Sequence, residues 1–415
     1  MCYSNAMRET DKPQAFQRYT IVIACFLIEG CGIGAYVAFS VFFKPLVAEF
    51  GWSRATVSGA TSLAYLMMGL LGILAGSFND RFGPRIVMAL TGLICGIGYF
   101  LLFQLSSAWQ LYLFYGLVVG IGLSSVDVIP LTVTARWFVR RRGMMTGIIK
   151  VGTGSGQLIM PLLAGAFIMS YGWRYAFACF GIVVLVVLIG SGQILRRDPG
   201  RKKTLRDAPG NPVQVVKRAP EDGLSLREAA RTPQLWLFCI ITFLVMNCLL
   251  TILMHVVPHA SDVGLDPMKA AGVVSTVGGV SMLGRLLTGF LIDRIGTRKS
   301  MTICFILLIA GFLWLEVARE AWMLYLFAAI YGVAHGSFMT LISPTVARLF
   351  GISSHGVLVG IVLFSGNFGG AVGPVVAGHI FDLTHSYQLV FVLMAAVCAI
   401  ALLLTPFLKP AVQKI

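Results

Sequence analysis

GSFNDRFGPRIV (residues 76–87) and GFLIDRIGTRKS (residues 289–300) share one skeleton, G-x-x-x-D-R-x-G-x-R, and lie 213 residues apart. Each follows a long apolar run and crowds acidic and basic groups into a short segment at its end. Two copies of one charged loop point to an internal duplication, and the surrounding sequence extends it. AWQLYLF from Ala108 returns as AWMLYLF from Ala321, while Pro45, Pro161 and Gly165 return as Pro258, Pro374 and Gly378, at the same offset and without insertions. Parallel repeats of this kind imply two bundles related by a pseudo-two-fold axis along the membrane normal.

The solvent of such a chain follows from its composition. Of 415 residues, 57% are hydrophobic and 12% charged, more apolar surface than an ordinary soluble core hides. Apolar stretches of about 20 residues, enough for a helix to cross about 30 Å of hydrocarbon, recur about twelve times. They fall near 19–43, 54–79, 84–106, 109–135, 144–170, 174–195, 234–258, 267–291, 300–318, 322–347, 355–381 and 387–408. The first is long, follows a polar leader and lacks a small-residue cleavage site, so it reads as a retained helix and not a signal peptide. The predicted fold is an all-α membrane protein of about twelve transmembrane helices in two pseudo-symmetric six-helix bundles. The predicted bundles are 1–195 and 233–415, joined by a proline-rich, basic linker over 196–232. At the end of that linker Ser225 and Glu228 stand at capping-box spacing, which predicts a short interfacial helix.

The net charge of +15 has two readings until it is placed on this topology. With the N-terminus inside, most of the 32 lysines and arginines fall in cytoplasmic segments, the positive-inside bias. The charge therefore orients a multi-pass cell-membrane protein with both termini cytoplasmic, and no nucleic-acid partner is expected. The nine cysteines are scattered without a C-x-x-C pair and read as small buried hydrophobes. The glycine runs GTGSG (152–156) and GNFGG (366–370) lie inside apolar helices, where they suit close helix crossing and not phosphate binding. With no Walker sequence, metal-spaced His/Cys group or nucleophile elbow, the sequence predicts neither an enzyme nor an ATP-driven pump, and no cofactor or metal.

The duplicated motif on this many spans resembles the major facilitator superfamily over nearly the whole chain. The resemblance implies a cytoplasmic gate built from Asp80, Arg81, Arg85, Asp293, Arg294 and Arg298. Gly76 and Gly289 would permit close packing there, and the aspartates would engage arginines or a neighbouring helix N-terminus. RWFVRRRGMMTGIIKVGTGSG, from Arg136, resembles the span-four to span-five pattern of the monocarboxylate transporter family at Trp137, Phe138, Arg140, Arg141, Arg142, Gly147 and Gly152. In SMLGRLLTGF, Arg285 matches the eighth-helix arginine that binds the carboxylate in that family.

The departures carry information too. Ser281 stands where animal members have an aspartate, Val37 where they have a first-helix lysine, and their entry pattern before span one is missing. The chain thus looks like a bacterial relative, of an inner membrane, whose proton relay is not the family's own. Oxalate and formate exchangers of the same broad group are the competing resemblance.

Four charges fall near mid-membrane. Counted from the cytoplasmic end of its span, Glu29 lies at roughly 16 Å, Asp127 at roughly 13 Å, Lys150 at roughly 11 Å and Arg285 at roughly 12 Å. Each costs at least about 2.5 kcal/mol unless it finds a partner or a wet cavity. Arg285 has no acid within a turn of its own helix, so its planar fork is the candidate carboxylate anchor. Lys150 is either paired with Asp127 at similar depth or free to bind substrate. Glu29 is either a proton carrier or a hydrogen-bonded packing residue. His255, His259 and Asp262, near the outer end of span seven, either relay protons or are solvated end groups. Tyr331 and His335 in span ten, Asn247 in span seven, Asn367 in span eleven and Tyr36 in span one either line the cavity or make ordinary interhelical hydrogen bonds.

The expected function is a monomeric secondary carrier that takes a small monocarboxylate, of the lactate or pyruvate type, across the bilayer with a proton. The alternative is an anion exchanger for oxalate or another dicarboxylate, with Lys150 as the second cation. A transport-inactive sensor would be expected to carry an appended soluble domain, and none is seen.

Overall fold

The computed structural model describes residues 2–411 apart from 53, 140, 197–222 and 266. Most of the predicted linker, and Arg140 of the span-four to span-five pattern, lie outside the described residues. Among these, ten helices are long and apolar enough to cross a bilayer. Two of the ten are pairs joined at a glycine, Gly172 within Arg142–Ile194 and Gly296 within Pro267–Val317, so the described residues hold twelve segments of membrane-spanning kind.

Span one lies in Cys2–Phe50, span two in Arg54–Phe82 and span three in Pro84–Leu101. Spans five and six share Arg142–Ile194, and spans eight and nine share Pro267–Val317. Span seven is Pro233–Asp262, and spans ten, eleven and twelve are Ala321–Phe350, His355–Thr384 and Gln388–Leu404. The first helix starts well before residue 19, so the polar leader continues it. An even number of such segments brings the start of span one and the end of span twelve to the face that carries the two loop motifs, called the motif face below.

Span four departs from the continuous helix expected over 109–135. It runs as Ala108–Leu111, a π segment Tyr112–Val119, Gly120–Leu123 and, after a turn over 124–127, Val128–Trp137. Hydroxyls account for the turn. Ser124 Oγ donates to the Ile121 carbonyl at 2.7 Å, and Ser125 Oγ lies 2.6 Å from Thr91 Oγ1 on span three. Such side chains compete with the helical ladder for its own polar groups. Asp127 heads the segment that follows.

Two apolar cores form. One is drawn from Ile21 to Leu195, and the other from Ala229 to Leu408 with Leu131 added from the first half. The glycine runs act as crossing points. Gly156 packs on the Gly30 backbone between spans five and one, and Gly369 packs on the Phe243 backbone between spans eleven and seven, at the same 213-residue offset. Leu226–Ala230 forms the short helix before span seven, with Ser225 N–H donating to Glu228 at 2.8 Å and Glu228 N–H returning to Ser225 Oγ at 3.3 Å. The Ser225 hydroxyl, which donates to Glu228 Oε2 at 2.7 Å, and then the Ser225 N–H hold the Glu228 carboxyl below its usual range.

Candidate functional site

On the motif face each loop aspartate reaches across the bundle interface to the start of a helix. The Asp293 carboxylate accepts from the main-chain N–H groups of Gly143 (2.8 Å) and Met144 (2.9 Å), which open span five. Asp80 Oδ2 accepts from Val357 N–H (3.3 Å), which opens span eleven. Gly143 and Met144 lie 213 residues before Gly356 and Val357, so one contact is made twice. The first-turn N–H groups of a helix lack internal partners and sit at its positive end, which favours a carboxylate there. A methyl group on Gly356 would stand 2.8 Å from the Gly76 carbonyl oxygen, and one on Gly289 would stand 2.7 Å from that of Gly143. Only glycine permits that approach, and the two contacts join the bundles at the motif face. The loops turn tightly because Gly83 (φ 89°) and Gly296 (φ 84°) take the left-handed region.

The arginines do not share this role, contrary to expectation. Arg85 Nε donates to the Leu195 carbonyl (2.7 Å) and Arg298 Nη2 to the Pro406 carbonyl (2.6 Å), each tying two spans of its own bundle. Arg81 lies over the Phe82 ring and Arg294 over that of Phe290. The gate arginine is instead Arg136, which sequence reasoning did not single out. Its Nη2 donates to Asp80 Oδ1 at 2.9 Å and reaches the Ile352 carbonyl of the other bundle at 3.5 Å. The matching position in the second repeat is Leu349, so the two latches differ in strength.

At mid-depth the four expected charges form one cluster. Lys150 Nζ on span five lies 3.1 Å from Glu29 Oε1 on span one and 3.2 Å from Oε2, and it also bonds Asp127 Oδ1 at the span-four break. The Asp127–Lys150 pair is formed, and Glu29 joins it as a third member. Thr153 Oγ1, one turn along span five, donates to Glu29 Oε2 at 2.8 Å. The side chains differ in access: Glu29 is 0% exposed, Lys150 5% and Asp127 27%.

Arg285 closes the cluster from the second bundle. It is 2% exposed, and its Nη1 donates to the Lys150 carbonyl at 2.6 Å. Gly154 makes room, since a methyl group there would stand 2.9 Å from Nη1. Arg285 Nε is buried without a hydrogen-bond partner among the described residues. With both acids ionised, the two cations and two anions cancel.

The remaining candidates scatter. Tyr331 is fully buried in the second bundle, its hydroxyl on the Leu249 carbonyl at 2.6 Å and its ring stacked on Phe327, so it packs instead of lining a cavity. His335 is half-buried with an unpartnered Nδ1, and its neighbour Gly336 packs on span eight beside Arg285. Asn367 accepts from the Tyr65 hydroxyl at 3.1 Å across the interface, and the Tyr65 ring lies tilted beside that of Tyr36 with ring centres 5.6 Å apart. Tyr36 itself reaches the Thr61 carbonyl at 3.5 Å. Asn247 is half-buried on span seven.

Tyr65 escaped the sequence reading, yet it lies four, seven and eleven residues before Gly69, Gly72 and Gly76, a glycine face that marks the contact side of span two. His255 is a stitch between helices and not a solvated end group. Its Nε2 faces the Pro374 carbonyl at 3.0 Å, to which it donates, and its Nδ1 lies 3.1 Å from the Tyr387 hydroxyl. His259 is buried edge-on against Tyr387 and Phe391, while Asp262 is exposed at the helix end.

A family model described as Major Facilitator Superfamily matches residues 24–315 and 260–414. MFS-type transporter 1 of Ophiocordyceps sp. (strain BCC 1869) is 25% identical over 351 residues, 83% of this chain and 74% of that one. Monocarboxylate transporter 12 of Homo sapiens is 24% identical over 421 residues, 95% of this chain and 80% of its own. The solved structure of the proton:xylose symporter XylE superposes with a TM-score of 0.74 at 14% identity, covering 95% of this chain and 97% of that one.

Proposed function

Because the chain belongs to the Major Facilitator Superfamily, we propose that it is a secondary active carrier, not an enzyme, that moves a small monocarboxylate such as lactate or pyruvate together with a proton. Arg285 carries this reading. It is a buried guanidinium at the bundle interface with one N–H aimed at no partner, beside His335 with a second unmet nitrogen. Leaving a buried polar group unpaired costs about 1–3 kcal/mol, which a bound carboxylate would remove. The planar fork suits that ligand.

Coupling follows from charge. The empty cluster is neutral with both acids ionised; a monocarboxylate adds one negative charge and a proton on an acid cancels it. A loaded site that stays neutral crosses the low-dielectric midplane at least cost, and the same holds for the empty one. The exchanger reading asks for Lys150 as a second free cation. Glu29 and Asp127 both hold it, which favours proton-coupled symport. The relatives named monocarboxylate transporters support the cargo class.

The motif face is assigned to the cytoplasm, with both termini, on the positive-inside bias. The working unit is a monomer, and the departures from the animal pattern favour a bacterial inner membrane. The test is uptake of labelled lactate, pyruvate, formate and oxalate into liposomes. Accumulation of a monocarboxylate driven by an inward proton gradient alone is expected. Flux that demands an internal anion would select the exchanger, and silence across the panel would sink both.

A further inference from the structure

We infer that Asp127 takes up the transported proton, while Glu29 remains the fixed counter-ion of Lys150. The inference rests on the carboxylate-carrier reading and divides the labour between two acids that touch one lysine.

The surroundings of the two carboxylates differ. Glu29 is wholly enclosed: Lys150 and the Thr153 hydroxyl both donate to Oε2, at 3.2 and 2.8 Å, and Lys150 Nζ lies 3.1 Å from Oε1, which accepts no hydrogen bond among the described residues. Protonating it would forfeit a charge-assisted bond from Lys150 inside a site closed to solvent. Asp127 keeps 27% of its side chain open, so water in the interface reaches it first. It also sits at the end of the turn over 124–127, where Ser124 and Val126 bond carbonyls three residues back and interrupt the α-helical pattern, and it heads Val128–Trp137 without a side-chain cap. A residue at such a break can swing without breaking a turn of helix, and π and broken turns recur at functional sites. The charged and titratable groups that act on it are Lys150 from span five, Glu29 from span one, Arg285 from span eight and Tyr65 from span two.

The proton balance is simple. A hydronium in the open half of the interface gives its proton to the Asp127 carboxylate, leaving water and a neutral acid. Lys150 keeps Glu29, so the cluster of Arg285, Lys150 and Glu29 carries one net positive charge, which the incoming carboxylate neutralises at Arg285. Proton and anion each raise the affinity for the other, and by linkage the effect is reciprocal. On the far side, loss of the anion lets Asp127 release its proton and return to Lys150.

The test uses the full chain in liposomes, with Asp127→Asn and Glu29→Gln beside the unaltered protein. Gradient-driven lactate accumulation and labelled-lactate counterflow are both measured. In Asp127→Asn the ratio of accumulation to counterflow is expected to fall at least tenfold. In Glu29→Gln the two modes should fall together, with reduced thermal stability. Infrared difference spectra on acidification give a readout that needs no substrate: a carboxylic-acid C=O band should appear in the unaltered protein and in Glu29→Gln, and be missing in Asp127→Asn. Proton-driven accumulation by Asp127→Asn, or a band that vanishes only with Glu29, would overturn the assignment. If the unaltered protein moves no carboxylate the carrier reading fails, and the infrared result still decides which acid titrates.

Discussion

Arg285 hangs by Nη1 from the main-chain carbonyl of Lys150, 2.6 Å away, so the proposed substrate anchor of one bundle is tied to the residue that gathers the two acids Glu29 and Asp127 of the other. The contact joins cargo and coupling at the interface that must open. A carboxylate that takes the fork of Arg285 competes with this bond, and binding is felt at Lys150 without a long pathway.

Arg285→Lys should keep the charge and lose the bidentate fork. A charge-assisted contact is worth about 1.5–3 kcal/mol, so affinity should drop roughly ten- to a hundredfold, and Arg285→Ala should abolish transport. Isothermal titration with lactate, beside the melting temperature of each purified variant, measures this. Unchanged lactate affinity in a well-folded Arg285→Ala protein would remove the anchor.

Lys150→Met should destabilise the fold by about 3–5 kcal/mol, because it leaves Glu29 buried without its cation. Adding Glu29→Gln should recover most of the loss, and adding Asp127→Asn less, since Asp127 is partly open. Denaturation midpoints in detergent across the single and double variants give the coupling energies. Equal rescue by the two acids would contradict the unequal burial.

Asp293→Asn removes one of two carboxylate contacts to the first turn of span five. Loss of a helix-start contact costs about 1 kcal/mol, enough to move the balance between the two faces about fivefold. Turnover should change more than substrate affinity. Asp80→Asn should do more, because it also frees Arg136. Alkylation rates of a single cysteine placed on either face report the shift; rates that match the unaltered protein would show that the latch carries no weight.

Away from the motif face, Glu49 is held below the usual carboxylate range by hydrogen bonds from Arg174 and then Trp173. A lowered folded-state value contributes stability that is full above the ordinary carboxylate range and is lost as the pH falls through the lowered value. Glu49→Gln should therefore lower the melting temperature at neutral pH and flatten its fall in acid. Parallel acid profiles for the two proteins would rule out the contribution.

Much of the architecture was legible because lipid imposes length and a duplication repeats it. The spacing from Gly76 to Asp80, and from Gly289 to Asp293, foretold the latch since both ends lie on one helix and its loop. Contacts between helices were harder to read. Depth counting put Asp127 beside Lys150, yet gave no rotation, so Glu29 looked separate and Tyr331 looked able to face a cavity. Arg136 appeared as one basic residue among several, and the break at 124–127 depends on where Ser124 and Ser125 find acceptors, which an apolar stretch does not announce.

The twin latches have a sequel in the ancestry of the chain. At the 213-residue offset the gate aspartates and Gly76, Gly143 and Gly156 face their own copies, but Glu29 faces Thr242, Asp127 faces Thr340, Lys150 faces Leu363 and Arg285 faces Gly72. The duplication thus carries the latch in two copies, while the acids and the lysine lie in one copy and the arginine in the other. A protein joined from two first halves would still hinge and would have nothing with which to grip an anion.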